Sequence, residues 1–218
     1  MNAIRLIFRG CTRRHAGQQP FIHHQLGCNR NQWISINWKT EVSNIRNYYI
    51  SGSYSLNNNI SCQVKILLKL AENNKSREIY TILNNLNCST TFKGNVFENF
   101  LAELYQKIGW DTKVVGGKND KGADILLFNS KQKVHAIIQV KNTKRPVSKK
   151  EIVNECDNFI GIYNPGTAKK YTCDTLMIFS LNGYTKGAWN YNYPATHKIF
   201  RYEWSYIESL IQFYANSF

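Results

Sequence analysis

Two apolar segments, Ala123 to Phe128 and Val134 to Lys141, flank the short polar turn Asn129 to Gln132. Each has the length of a strand, and the turn is short enough to join them as a hairpin. Near-continuous apolarity in both predicts strands covered on both faces. A sheet covered twice needs helices before and after it, and the chain supplies them. From Thr91, Phe97, Phe100, Leu101, Leu104 and Ile108 recur at helical spacing, and Gly109 is a C-terminal stop. Ser148 and Glu151 have the spacing of a capping box. It opens a helix that carries Ile152, Val153, Cys156, Phe159 and Ile160 on one face. Trp110 to Val115, Leu176 to Leu181 and Lys198 to Tyr202 read as strands, residues 185–192 as a short helix, and Ser205 to Tyr214 as a terminal helix. This order predicts an α/β fold with a mixed central sheet flanked by helices.

The hairpin is apolar except at a few positions. Asp124 opens one strand, and Gln139 and Lys141 stand two apart near the end of the other, so they share a face. Pairing centred near residues 131–132 sets Asp124 opposite the stretch from Gln139 to Lys141. Nothing in the sequence supplies a structural need for these groups there. Burying a neutral polar group unpaired costs roughly 2–7 kcal/mol, and a charge costs more.

The grouping suits phosphodiester hydrolysis. Mg²⁺, or Mn²⁺ in its place, takes oxygen ligands and keeps several waters. Asp124, the Gln139 side-chain oxygen and the Val140 carbonyl could supply them. Glu98 lies one step off the apolar stripe of its helix. It either completes the shell, directly or through water, or is an exposed Glu favoured by the helix dipole. Asp120, in the glycine-punctuated loop from Gly116 to Gly122, is either a second metal contact or a loop cap. Lys141 would hold or deprotonate a water, or stabilise the transition state. Lys118, Lys121, Lys144, Arg145, Lys149 and Lys150 would grip a DNA backbone.

Charge over the whole chain agrees with a polyanionic partner, or else marks a solvated surface: Lys and Arg number 28 against 14 Asp and Glu, a net charge of +14. A hydrophobic fraction of 43% excludes a disordered chain. No apolar run approaches the roughly 18 residues of a membrane helix, so no membrane insertion is expected. None of the six cysteines forms a CxxC pair, which argues against structural zinc and for reduced thiols. Asn is frequent throughout and is read as a bias of composition.

The amino-terminal part is different in kind. The first acidic residue is Glu41, and Arg5, Arg9, Arg13, Arg14, Arg30 and Lys39 precede it. Apolar residues lie around Arg5 and Arg9. This Arg-rich, acid-poor, amphipathic start has the composition of a mitochondrial transit peptide, the alternative being a basic arm. Cys62 to Leu86 is helical in pattern and is broken by Asn73-Asn74. The organisation expected is a transit peptide over residues 1–40, a partly helical extension over 41–90 and a catalytic domain over 91–218.

The motifs carry a resemblance. Gly94-x-x-Phe97-Glu98, then Gly116-Gly117-x-x-Asp120-x-Gly122-Ala123-Asp124-Ile125, then Gln139-Val140-Lys141, resembles the PD-(D/E)xK nuclease superfamily. The branch it resembles is the Mrr-like restriction endonucleases, with Gln in place of the second acid. Asn182-Gly183-Tyr184-Thr185-x-Gly187-Ala188 is similar to that family's late segment. Ala123 stands where the lead motif has Pro. The chain is also similar to fungal mitochondrial proteins of this superfamily needed for respiratory growth. The resemblance implies Mg²⁺-dependent DNA cleavage, with Asp124 and Gln139 at the metal and Lys141 catalytic. It leads to a deoxyribonuclease of the mitochondrial matrix, acting in DNA maintenance. The alternatives are a non-catalytic nucleic-acid-binding protein on the same fold and a structural subunit of an organelle complex. A homodimer would supply the two sites that double-strand cleavage needs.

Overall fold

The hairpin forms at the register expected and becomes the centre of the sheet. The computed structural model describes residues 59–86, 88–115, 123–163, 173–193 and 197–217 of the chain. Strand β2 (Ile125–Phe128) pairs antiparallel with β3 (Val134–Lys141), Ile125 opposite Ile138 and Leu126 opposite Ile137. A bulge between Leu127 and Phe128 absorbs one residue near the turn, where Gln132 takes a positive φ of 57°. Strand β1 (Asp111–Val114) adds antiparallel on one side. Strands β4 (Thr175–Ser180) and β5 (Lys198–Tyr202) add parallel on the other, giving the order β1-β2-β3-β4-β5.

Among the described residues, the helices that precede the sheet are α1 (Ile60–Glu72), α2 (Ser76–Asn85) and α3 (Thr90–Lys107). Those that follow β3 are α4 (Lys149–Tyr163), α5 (Lys186–Trp189) and α6 (Trp204–Ala215). The break between α1 and α2 falls at Asn73-Asn74, and Asn74 adopts a φ of 52° that favours Asn or Gly. Gly109, at φ 98°, ends α3 as its sequence position requires.

Two layers cover the sheet. On one face Leu126, Ile137, Leu176 and Ile178 are buried with Ile152, Cys156 and Phe159 of α4 and Ala188 of α5. On the other, Phe179 meets Tyr105 of α3 edge-on at 6.3 Å and Tyr206 of α6 at 5.9 Å. Helices α1 and α2 contact α3 and α6 from outside, as a further layer. The capping box forms: Glu151 N–H donates to Ser148 Oγ, and Glu151 Oε2 accepts from Ser148 N–H at 2.8 Å.

The short helix α5 ends earlier than its sequence suggests. The Arg201 guanidinium donates to the carbonyls of Ala188 (2.6 Å) and Trp189 (2.7 Å). These bonds satisfy carbonyls of the last turn after the helix ends, the Ala188 carbonyl accepting also from the Tyr191 N–H at 3.4 Å. Cys62, Cys88, Cys156 and Cys173 are free thiols, as expected of them. No helix among the described residues is long and apolar enough to cross a membrane. The suspected leader lies outside the described residues.

Candidate active site

The polar residues of the hairpin meet at the carboxyl end of β3. Asp124 continues the ladder one step beyond β2: its N–H donates to the Ile138 carbonyl at 3.0 Å, and its carbonyl accepts from Val115. Extending the register from Ile125–Ile138 sets Asp124 beside Gln139. Asp124 is buried, and its Oδ2 accepts from the Val140 N–H at 2.6 Å. The carboxylate therefore reaches past the end of β2 and takes the next backbone donor of β3. That is a structural need that the sequence did not reveal.

The same bond fixes the direction of the Val140 carbonyl. Within a strand, the N–H and C=O of one residue point to the same side. The Val140 carbonyl therefore also faces the β2 side, just beyond the point where β2 pairing stops. Val140 lines a cleft of about 620 Å³ there, together with Lys141, Gly94, Lys93, Lys144 and Arg145.

Gln139 and Lys141 lie on the α4 face of β3, in step with Ile137. Gln139 is 8% exposed, and its Oε1 is buried without a hydrogen-bond partner. A buried acceptor left unmet costs about 1–3 kcal/mol, so the fold pays for a group it does not use structurally. Lys141 Nζ, by contrast, is met by Glu155 Oε1 of α4 at 2.6 Å, with both side chains largely buried. Glu155 was not singled out from sequence, although a signal was present. It falls three residues after Ile152 and four before Phe159, on the apolar stripe of α4, where a carboxylate needs a reason.

Glu98 sits one turn after Gly94 on α3. A Cβ on Gly94 would stand 3.4 Å from Glu98 Oε1, so the carboxylate folds back over Gly94, which lines the cleft. Asp120, Lys118 and Lys121 lie outside the described residues. Lys144 and Arg145 line the cleft, while Lys149 and Lys150 are exposed at the start of α4. Arg145 forms a two-pronged pair with Glu151, at 2.9 and 3.2 Å. Burial opposes ionisation of Glu151. Hydrogen bonds from the Ser148 side chain and backbone, and the Arg145 guanidinium, outweigh it and bring its pKa to about 2.

The asparagines are not merely a bias of composition. Asn182 donates to Asn84 Oδ1 (3.0 Å) and to the Thr143 carbonyl (2.6 Å), and accepts from Tyr80 Oη at 2.8 Å. Asn142 donates to the Lys93 carbonyl at 3.2 Å. These amides tie α2 and the start of α3 to the ends of β3 and β4, and Asn84 is itself a cleft wall. Single asparagines in loops carry no sequence pattern, so this belt was not legible.

No group of three or more His, Cys, Asp or Glu side chains among the described residues could hold a metal. The oxygens present are of another kind: the Asp124 carboxylate, the unsatisfied Gln139 amide oxygen and the backbone carbonyl of Val140, the one of the three residues that lines the cleft. That hard, sparse set fits a cation that retains water, such as Mg²⁺, and does not fit zinc.

No curated protein and no solved structure matches the chain. A family profile, Mrr_cat, described as restriction endonuclease, matches residues 90–199. The match runs from the start of α3 into β5 and so contains Glu98, Asp124, Gln139, Lys141 and Glu155. With half of its length matched, the chain belongs to the Mrr restriction-endonuclease catalytic family.

Proposed function

We propose that the chain is a Mg²⁺-dependent deoxyribonuclease that hydrolyses phosphodiester bonds at the cleft beside β3. The observation that carries this reading is the buried, unpartnered Gln139 Oε1 next to Asp124. An apolar side chain would serve the fold better there. Asp124, Gln139 and the Val140 carbonyl would hold the cation, with Glu98 at the margin of the cleft. When bound, the cation would lower the pKa of an attacking water and offset charge developing on the phosphate. Glu155 holds Lys141 Nζ in place beside this site. There the ammonium hydrogen-bonds a phosphate oxygen or the attacking water. Lys93 and Lys144 would bind the flanking phosphates.

Composition supports mitochondrial DNA maintenance as the setting. Six basic residues and no acidic one precede Glu41, which fits a transit peptide and agrees with the resemblance to fungal respiratory-growth proteins. A fusion of residues 1–40 to a fluorescent protein is expected to enter mitochondria. Cytosolic fluorescence would remove this setting and leave the chemistry standing.

A binding-only reading draws on one feature, the tight Lys141–Glu155 pair, which occupies the catalytic lysine. Supercoiled and branched DNA incubated with the full chain in Mg²⁺, Mn²⁺ or EDTA separates the two. Metal-dependent nicking, absent in Lys141→Ala, is expected. Equal DNA binding by both proteins without nicking would favour binding alone.

A further inference from the structure

We propose that the surface beside the cleft, formed by α5 and the start of α4, is a stacking platform for an unpaired nucleobase. The preferred substrate is then DNA with single-stranded character at the cut site. The inference rests on the nuclease reading for its setting and on separate residues for its evidence.

Trp189 and Phe213 are the exposed large apolar side chains among the described residues, at 50% and 42%. A lone exposed aromatic is ordinary. What distinguishes Trp189 is its support and its surroundings. Its carbonyl is held by Arg201 at 2.7 Å, and its ring leans on Tyr184, with centroids 5.8 Å apart at 47°. One part of the indole is thus fixed against the protein while half of the residue stays in solvent. A rigid aromatic loses little entropy when a base stacks on it, and every base offers a π-face.

The charge around Trp189 fits the same ligand. Between Lys141 and Lys150, and between Leu181 and Tyr193, the chain carries six cationic side chains and no carboxylate; Glu151, the next residue along, is paired with Arg145. Lys149 lies 5.4 Å from the centroid of the Tyr191 ring, and Gly187 faces the Lys149 side chain, so α5 abuts the basic start of α4. Continuity with the cleft follows from the backbone. Val147 N–H donates to the Gly183 carbonyl, and Thr185 N–H donates to the Val147 carbonyl. The loop that contributes Lys144 and Arg145 to the cleft therefore runs directly into the Trp189 surface. A strand whose phosphates follow those cations away from the cleft is led towards α5, where an unpaired base would stack on the indole. In intact duplex the bases are stacked inside and cannot reach it.

The test measures binding of a fluorescein-labelled single strand, its duplex and a forked duplex to the full chain in EDTA, where no cleavage occurs. Trp189→Ala is expected to lower the ratio of forked to duplex affinity about tenfold, the scale of one lost base stack. Trp189→Phe is expected to restore most of that ratio, and Phe213→Ala to leave it unchanged. An unchanged ratio in Trp189→Ala, or failure of the full chain to bind any of the three probes, would overturn the platform. Nicking in Mg²⁺ is read separately: its absence alongside a Trp189-dependent ratio refutes the nuclease reading and keeps the platform.

Discussion

Replacing Gln139 with methionine should stabilise the metal-free protein. The two side chains have similar length and volume, so the change keeps the shape of the site and removes its polar atoms. Gln139 is 8% exposed, and its Oε1 lies buried without a partner. Removing an unmet buried acceptor returns about 1–3 kcal/mol. For a domain of this size each kcal/mol moves Tm by roughly 2–4 °C, so Gln139→Met should melt about 2–12 °C higher in EDTA. Metal should reverse the ranking. A cation at one hundred times its Kd adds about 2.7 kcal/mol to the wild type, and much less to a variant that has lost one ligand. Thermal unfolding of both proteins, in EDTA and over a Mg²⁺ and Mn²⁺ titration, measures the two effects together. A lower Tm for the variant in EDTA would show that Gln139 serves the fold. An equal metal-induced rise in both proteins would show that its oxygen is not a ligand.

Other outcomes follow from the same geometry. Glu155→Gln leaves Lys141 without its carboxylate. The pair keeps some contact with solvent, so the loss should be about 1 kcal/mol, read as a Tm lower by roughly 2–4 °C, with the cleavage rate falling more than DNA affinity. Asn182→Ala removes three hydrogen bonds, two that tie the end of β4 to α2 and one to the Thr143 carbonyl just after β3. It should cost roughly 1–3 kcal/mol by denaturant unfolding and raise KM for DNA, because the cleft wall loosens. Glu151 has its pKa depressed from 4.5 to about 2, so its contribution to stability is complete above pH 4.5 and is lost as pH falls towards 2. Wild-type Tm should therefore drop across that window more steeply than that of Glu151→Gln.

What the sequence made legible was set by local rules. The register of β2 on β3 followed from a turn centred near residues 131–132, and it placed Asp124 beside Gln139. The helix stops at Asn74 and Gly109 and the cap at Ser148 and Glu151 follow from backbone sterics and hydrogen bonding within a few residues. What was not legible depends on contacts distant in sequence. The Lys141–Glu155 pair joins a strand to a crossover helix, and the Asn182 network joins α2 to the end of β4. The Asp124–Val140 bond is a consequence of strand ends that no periodicity reports. The carbonyls at the end of α5 are likewise met by Arg201, which arrives from β5.

The most direct test of the central claim is the single-turnover cleavage rate of Asp124→Asn against wild type in Mg²⁺, with DNA affinity measured for both in EDTA. Asparagine keeps an acceptor for the Val140 N–H and removes the charge that would hold the cation. The expected rate is at least a hundredfold lower, on the order of the loss of one charge-stabilising group, with affinity within a few-fold of wild type. Metal-dependent cleavage that survives in Asp124→Asn would contradict that claim.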